Sequence, residues 1–261
     1  NLGAKLQELR MKINNRKETE SETETEETTE EETEGPGDPV DREKVETHLI
    51  IASDTHYMSP SMTDYGAAFD SLVNSNDGKV IRYQPQLWQA FKSEVLAANP
   101  DALILSGDLS LNGEKANHLE FSEKLHEIEE AGVPVYVIPG NHDINKPDAG
   151  EYFGDQRTDV ESVTSEEFRE IYADFGYNEA KSGAPDSLSY LVELNDTTWL
   201  MMLDTTVCEP ENEVYGEIKE GTLEWMEECL KEAYAEGITV IPVGHHNLQR
   251  LSRVYVEECV I

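Results

Sequence analysis

Apolar residues recur along this chain in two rhythms. Short unbroken runs, HLIIAS (48–53), ALILS (102–106), VYVI (135–138) and ITVIPV (238–243), read as strands. Between them, apolar positions spaced by three and four predict helices. Leu87, Phe91, Val95 and Leu96 mark one over 85–98, and Leu119, Phe121, Leu125 and Ile128 mark another over 114–131. Phe168, Ile171 and Tyr172 mark a third over 165–174, and Leu223, Met226, Leu230 and Tyr234 a fourth over 221–236. Asn99-Pro100 stops the first helix, since the residue before a proline avoids the helical region. Gly132 and Gly237 stand where left-handed caps would close the second and fourth. SLSYLVEL (187–194) and TWLMML (198–203) flank Asn195-Asp196-Thr197, a hairpin signal. The strand–helix–strand–helix–strand order predicts an α/β fold with parallel neighbours and right-handed crossovers. No run of 18 apolar residues is present, so no helix is expected to span a membrane.

The amino-terminal part breaks this pattern. Residues 1–17 form a basic, weakly amphipathic segment, and residues 18–41 an acidic Glu/Thr-rich tether. Ten of the seventeen residues from Glu18 to Glu34 are Glu, a density that extends by self-repulsion and buries no core. The folded domain is expected over 42–261. The formal charge of the 261 residues is −35, and without those ten acids it is still −25. So acidic a surface repels phosphate backbones and argues against a nucleic-acid partner. It also repels any phosphorylated substrate, unless bound cations reverse the sign locally. Cys208, Cys229 and Cys259 form no C-x-x-C pair and read as free thiols. A start at Asn1 rather than Met suggests either a removed leader or a trimmed chain, and the tether suits anchoring upstream of residue 1. An extracellular or cell-surface bacterial setting is therefore expected, a cytoplasmic one being the alternative.

Each apolar run ends in residues that bind metals. Asp54 and His56 follow the first, Asp108 the second, Asn141, His142 and Asp143 the third, and His245 and His246 the last. In open α/β folds the carboxyl ends of strands are where sites are built. Asp54 and His56, two residues apart at a frayed strand end, are expected to project to one side. Gly107 permits a sharp turn before Asp108. Adjacent side chains do not easily share a direction, so His245 is read as a ligand and His246 as supporting it or facing substrate. Tyr57, Asn112 and Asn145 adjoin the motifs and are candidate pocket residues. Arg157, in the irregular stretch 144–187, is a candidate phosphate contact. Asp204 reads as a turn carboxylate, and His118 and His126 as solvated positions on a surface helix.

On S-D-T-H (53–56), G-D-L-S (107–110), G-N-H-D (140–143) and G-H-H-N (244–247), the chain resembles the calcineurin-like metallophosphoesterases, also called the Ser/Thr-phosphatase-like or purple-acid-phosphatase-like superfamily. The match spans roughly residues 46–250. The resemblance implies a four-layer αββα sandwich carrying two divalent or trivalent ions, with Mn, Fe or Zn suited to the O/N donors. It implies that Asp54 and His56 bind one metal, that Asp108 bridges, and that Asn141 and His245 bind the other. His142 would contact the phosphoryl group and assist the leaving group, with His246, Asn112 and Arg157 nearby as substrate contacts. The implied reaction is hydrolysis of a phosphomonoester or phosphodiester by a hydroxide bridging two cations about 4 Å apart. The family's closing Gly-His-x-His finds no counterpart here, because Asn247 stands where its second His would be. The expectation is thus a C-terminally incomplete domain. Two other readings stay open: a binding module of this fold with impaired catalysis, and a tethered cell-surface scaffold.

Overall fold

A computed structural model describes residues 40–75 and 79–247 and the backbone of 259–260. The basic segment 1–17 and all but the last two residues of the acidic tether lie outside the described residues. Among the described residues the strands are β1 (Leu49–Ala52), β2 (Ala102–Ser106), β3 (Val135–Ile138), β4 (Gly150–Phe153), β5 (Gln156–Asp159), β6 (Ser182–Gly183), β7 (Tyr190–Asn195), β8 (Thr198–Leu203), β9 (Gly216–Glu217), β10 (Thr239–Gly244) and β11 (Cys259–Val260). The α-helices are α1 (Ala67–Ser75), α2 (Gln84–Ala98), α3 (Lys115–Glu129), α4 (Ser165–Ile171) and α5 (Glu220–Glu236).

Two sheets form the centre. One is parallel, ordered β1-β2-β3, and the other is mixed, ordered β10-β8-β7-β6, with β10 parallel to β8. The period of two along β7 and β8 explains how the second sheet is used. Tyr190, Val192, Leu200 and Met202 point into a core shared with Leu103, Leu105 and Val137 of the first sheet. Leu191, Trp199, Met201 and Leu203 point the other way, onto Trp225, Cys229 and Ala233 of α5. The outer face of the first sheet carries α2 and α3, through Trp88, Val95, Phe121, Leu125 and Ile128. The layers are therefore helices, sheet, sheet and helix, the αββα order that the motifs imply. Pro242, which cannot donate to a ladder, sits on β10 at the end of its sheet.

The expected elements are found, and several expected faces are not. In α2 the buried position is Trp88, while Leu87 is exposed; in α3 it is His118, while Leu119 is exposed. In α5 the buried stripe is Thr222, Trp225, Cys229 and Ala233, whereas Leu230 and Tyr234 face outward. Each error is one residue of phase. A large aromatic or a hydrogen-bonded imidazole takes the inward position, and a neighbouring Leu is left on the rim. His118 is correspondingly not solvated: it is fully buried, with Nδ1 2.8 Å from the Tyr172 hydroxyl and Nε2 3.0 Å from the Asp143 carbonyl. Gly237 (φ 70°) closes α5 in left-handed conformation, as expected, and α2 ends at Asn99, which is also left-handed (φ 45°). Cys208 and Cys229 are free thiols.

Residues 40–45 run across the amino-terminal edge of the second sheet. The Val40 amide donates to the Ala235 carbonyl, Arg42 Nε to the Glu236 carbonyl at 2.6 Å, and Lys44 Nζ to Thr239 Oγ1 at 2.7 Å. This strap fastens the entering chain to the end of α5 and the start of β10.

Candidate metal centre

The loops after β1, β2, β3 and β10 meet at the carboxyl edges of the two sheets. Main-chain bonds join the first two: the amides of Asp54, His56 and Tyr57 donate to the carbonyls of Gly107, Asp108 and Leu109 at 3.1, 2.9 and 2.8 Å. Asp143 ties the third loop to the second. Its Oδ2 accepts from the amides of Leu109 and Gly140 at 3.0 and 2.9 Å, and its Oδ1 from Ser110 at 2.8 Å. His245 ties the fourth, with Nδ1–H donating 2.9 Å to the Ser106 carbonyl. Gly140 is required by proximity, because a Cβ there would lie 2.3 Å from both the amide nitrogen and Oδ1 of Asp108.

The side chains converge on Asp108, which is 3% exposed. On one flank His56 Nε2 stands 3.5 Å from Asp108 Oδ2 and 3.7 Å from Asp54 Oδ1. On the other, His245 Nε2 stands 3.4 Å from Asp108 Oδ1 and 3.2 Å from Asn141 Oδ1. Donor atoms of Asp54, Asp108 and His245 all lie within 4.8 Å of one another. Three of these residues, Asp54 (φ 57°), His56 (φ 41°) and Asp108 (φ 53°), hold left-handed backbone that non-glycine residues avoid. Asp54 and His56 are therefore brought together by a strained turn beyond Ala52, not by the pleat of a frayed strand. Strain held in several residues of one cluster is a common mark of a functional site.

The donor chemistry fits cations. Because His245 Nδ1 carries the proton given to Ser106, its Nε2 lone pair faces oxygens of Asp108 and Asn141. Lone pair against lone pair is repulsive unless positive charge lies between them. Burial raises the Asp108 carboxyl above its ordinary value, against the pull of His245. A cation between Asp108 and its flanking imidazoles would reverse that cost. The His56 imidazole beside it holds Asp54 well below the usual carboxylate range. His56 Nδ1 is buried with no partner among the described residues.

His142 leaves the cluster and turns toward a cleft of ≈ 630 Å³ bounded by α1, the β4–β5 hairpin and Asn112. Its Nδ1 lies 2.8 Å from Asn112 Oδ1 and 3.0 Å from the Leu111 carbonyl, so Nδ1 carries the proton and Nε2 faces outward. Burial pushes the imidazole down to about 3, helped by the nearby Lys79 and Lys146 charges.

Asn112 and Arg157 line this cleft. Arg157 is 2.5 Å from Asp159 and also donates to the Asp148 carbonyl at 2.7 Å, so much of its fork is already used. His246 does not face the cleft. It is 6% exposed, with Nδ1 2.7 Å from Thr205 Oγ1 and Nε2 3.1 Å from the Val214 carbonyl. Tyr57 is buried with its hydroxyl on Glu120, and Asn145 reaches the Cys208 carbonyl, so neither lines the cleft. Asp204 caps its own turn through Thr206 and the Leu188 amide.

Lys79 escapes a reading of the sequence. It stands in a polar stretch with no motif, yet its Nζ is 3.4 Å from His142 Nε2. The linking role of Asp143 was also missed, although the residue sits inside G-N-H-D. His118 falls in step with Phe121, Leu125 and Ile128, and that spacing is the signal that would have placed it inside.

A family model for calcineurin-like phosphoesterases matches residues 47–260. No curated protein matches the chain.

Proposed function

The chain belongs to the calcineurin-like phosphoesterase family, and from that premise we propose that it hydrolyses a phosphate ester at the Asp108 cluster, with His142 serving the reacting phosphoryl group. The observation that carries the proposal is the flanking of Asp108 by two imidazoles, His56 at one oxygen with Asp54 beside it and His245 at the other with Asn141 beside it. Asp54 and His56 would hold one cation, Asn141 and His245 a second, and Asp108 both. Cations bound there would polarise the phosphoryl oxygens and supply water of lowered pKa as the nucleophile. Mixed oxygen and nitrogen donors without thiolate suit Mn, Fe or Zn.

His142 does the remaining work in this proposal. Asn112 and the Leu111 carbonyl fix its Nδ1–H, which aims Nε2 at the cleft where the ester would lie. With the site free of substrate, burial keeps this ring neutral at pH 7. An arriving anion favours the imidazolium, so Nε2 would take up a proton with the substrate and deliver it to the leaving oxygen. The His142 amide, donating 2.8 Å to Asp108 Oδ1, couples this residue to the cation-holding carboxylate.

The test is hydrolysis of an aryl phosphate by protein stripped with chelator and reloaded with Mn, Zn or Fe. Turnover should appear only on reloading, and His142→Ala should lower kcat by roughly 10²–10⁴-fold, the usual contribution of a positioned acid or base. Equal turnover by stripped and reloaded protein would count against the proposal.

A further inference from the structure

Lys79 lies between α1 and α2, on the wall of the cleft into which His142 opens. The other cations of this region are neutralised: Arg82 by Asp70, Arg157 by Asp159, and Lys146 by Asp148. Among the described residues Lys79 has no carboxylate within ion-pair distance, and its one polar contact is His142 Nε2. In a chain of charge −35, a half-buried ammonium that has no carboxylate partner among the described residues and stands beside His142 calls for an anion. The ammonium is a compact point charge with three donors, able to give one to an anionic oxygen that lies beside His142.

We infer that Lys79 binds an oxygen of the substrate's phosphoryl group beside His142, and thereby favours phosphomonoester dianions over phosphodiester monoanions. The inference rests on the phosphohydrolase reading above. A monoester presents a terminal oxygen, charged and free of a second organic group, where a diester presents an esterified one. An ammonium beside His142 distinguishes the two by that charge. The cleft volume is that of a small-molecule site, so a leaving group has room beyond Lys79. Lys79 is thus a substrate-binding and specificity residue.

The experiment uses Mn-loaded protein with p-nitrophenyl phosphate and bis(p-nitrophenyl) phosphate, and calorimetric titration with orthophosphate. Lys79→Met should lower kcat/KM for the monoester by roughly ten- to a hundredfold, the range of one charge-assisted hydrogen bond. The diester should lose far less, orthophosphate affinity should fall with the monoester rate, and Lys79→Arg should recover most of both. Equal losses on the two esters, or orthophosphate binding unchanged in Lys79→Met, would overturn the inference. If the parent protein cleaves neither ester, the phosphohydrolase reading fails, while the orthophosphate titration still decides whether Lys79 binds phosphate. Lys79→Gln, checked by thermal unfolding, replaces Lys79→Met should that variant not fold.

Discussion

Asp108 is the residue on which both flanks of the cluster lean, and its two oxygens are not interchangeable. Oδ2 faces His56, while Oδ1 faces His245 and accepts the His142 amide. Asp108→Asn keeps the shape but replaces one acceptor with a donor and removes the charge. The variant should lose metal content, read by elemental analysis, and turnover, by more than the roughly hundredfold that outer-layer changes around a metal cost. Full occupancy in the variant would contradict a bridging role. The donor residues of this cluster were legible because each sits directly after an apolar run, a relation that survives without knowing the fold. Lys79 was not legible, because a lysine in a polar stretch carries no periodicity; only the path of the chain brings it to His142. The hydrogen-bond partners of His246 were not legible either. That residue adjoins a donor in sequence, yet the turn after β10 sends it into a buried bond with Thr205.

Helix α5 shows what pattern reading can and cannot supply for an element. Its existence and both ends follow from spacing and Gly237, but its inward face is set by what it must cover on β8. Trp225 meets Trp199, Met201 and Leu203 there and donates Nε1–H to Ser182 Oγ at 3.0 Å. Trp225→Ala should therefore cost about 3–5 kcal/mol in chemical denaturation. Leu230→Ala, on the exposed side, should stay within about 0.5 kcal/mol. The reverse order would restore the phase that the leucines suggested. At the end of α3, Glu129 gives an element-scale pH effect. Burial, with Glu179 and Asp174 adding to it, raises its carboxyl from 4.5 to about 7. Between those values the folded state binds the proton more tightly than the unfolded chain does. Stability thus falls as pH rises through this window, and the loss persists above it. Glu129→Gln should raise Tm at pH 8 and leave it nearly unchanged at pH 4, as read by calorimetry.

For the whole molecule the dominant quantity is a charge of −35 set against an anionic substrate. Long-range repulsion should slow encounter. Raising ionic strength from about 0.01 to 0.15 M shortens the screening length from about 30 to 8 Å. The value of kcat/KM for an aryl phosphate should rise over that range; a fall would show that attraction by the cleft outweighs the molecule's overall field. The layer order and the parallel pairing were readable from alternating strands and helices. The two-sided burial of β8 agrees with its unbroken apolar run, whereas the helix that covers its far face is set by the path of the chain.

The strap at residues 40–45 grips the sheet end opposite the one where the four loops gather. A handle grafted ahead of Val40 would accordingly emerge at the back of the domain. Protein immobilised by such a handle should keep its mouth turned to solution and its turnover intact, whereas attachment through the β4–β5 hairpin would block the entrance.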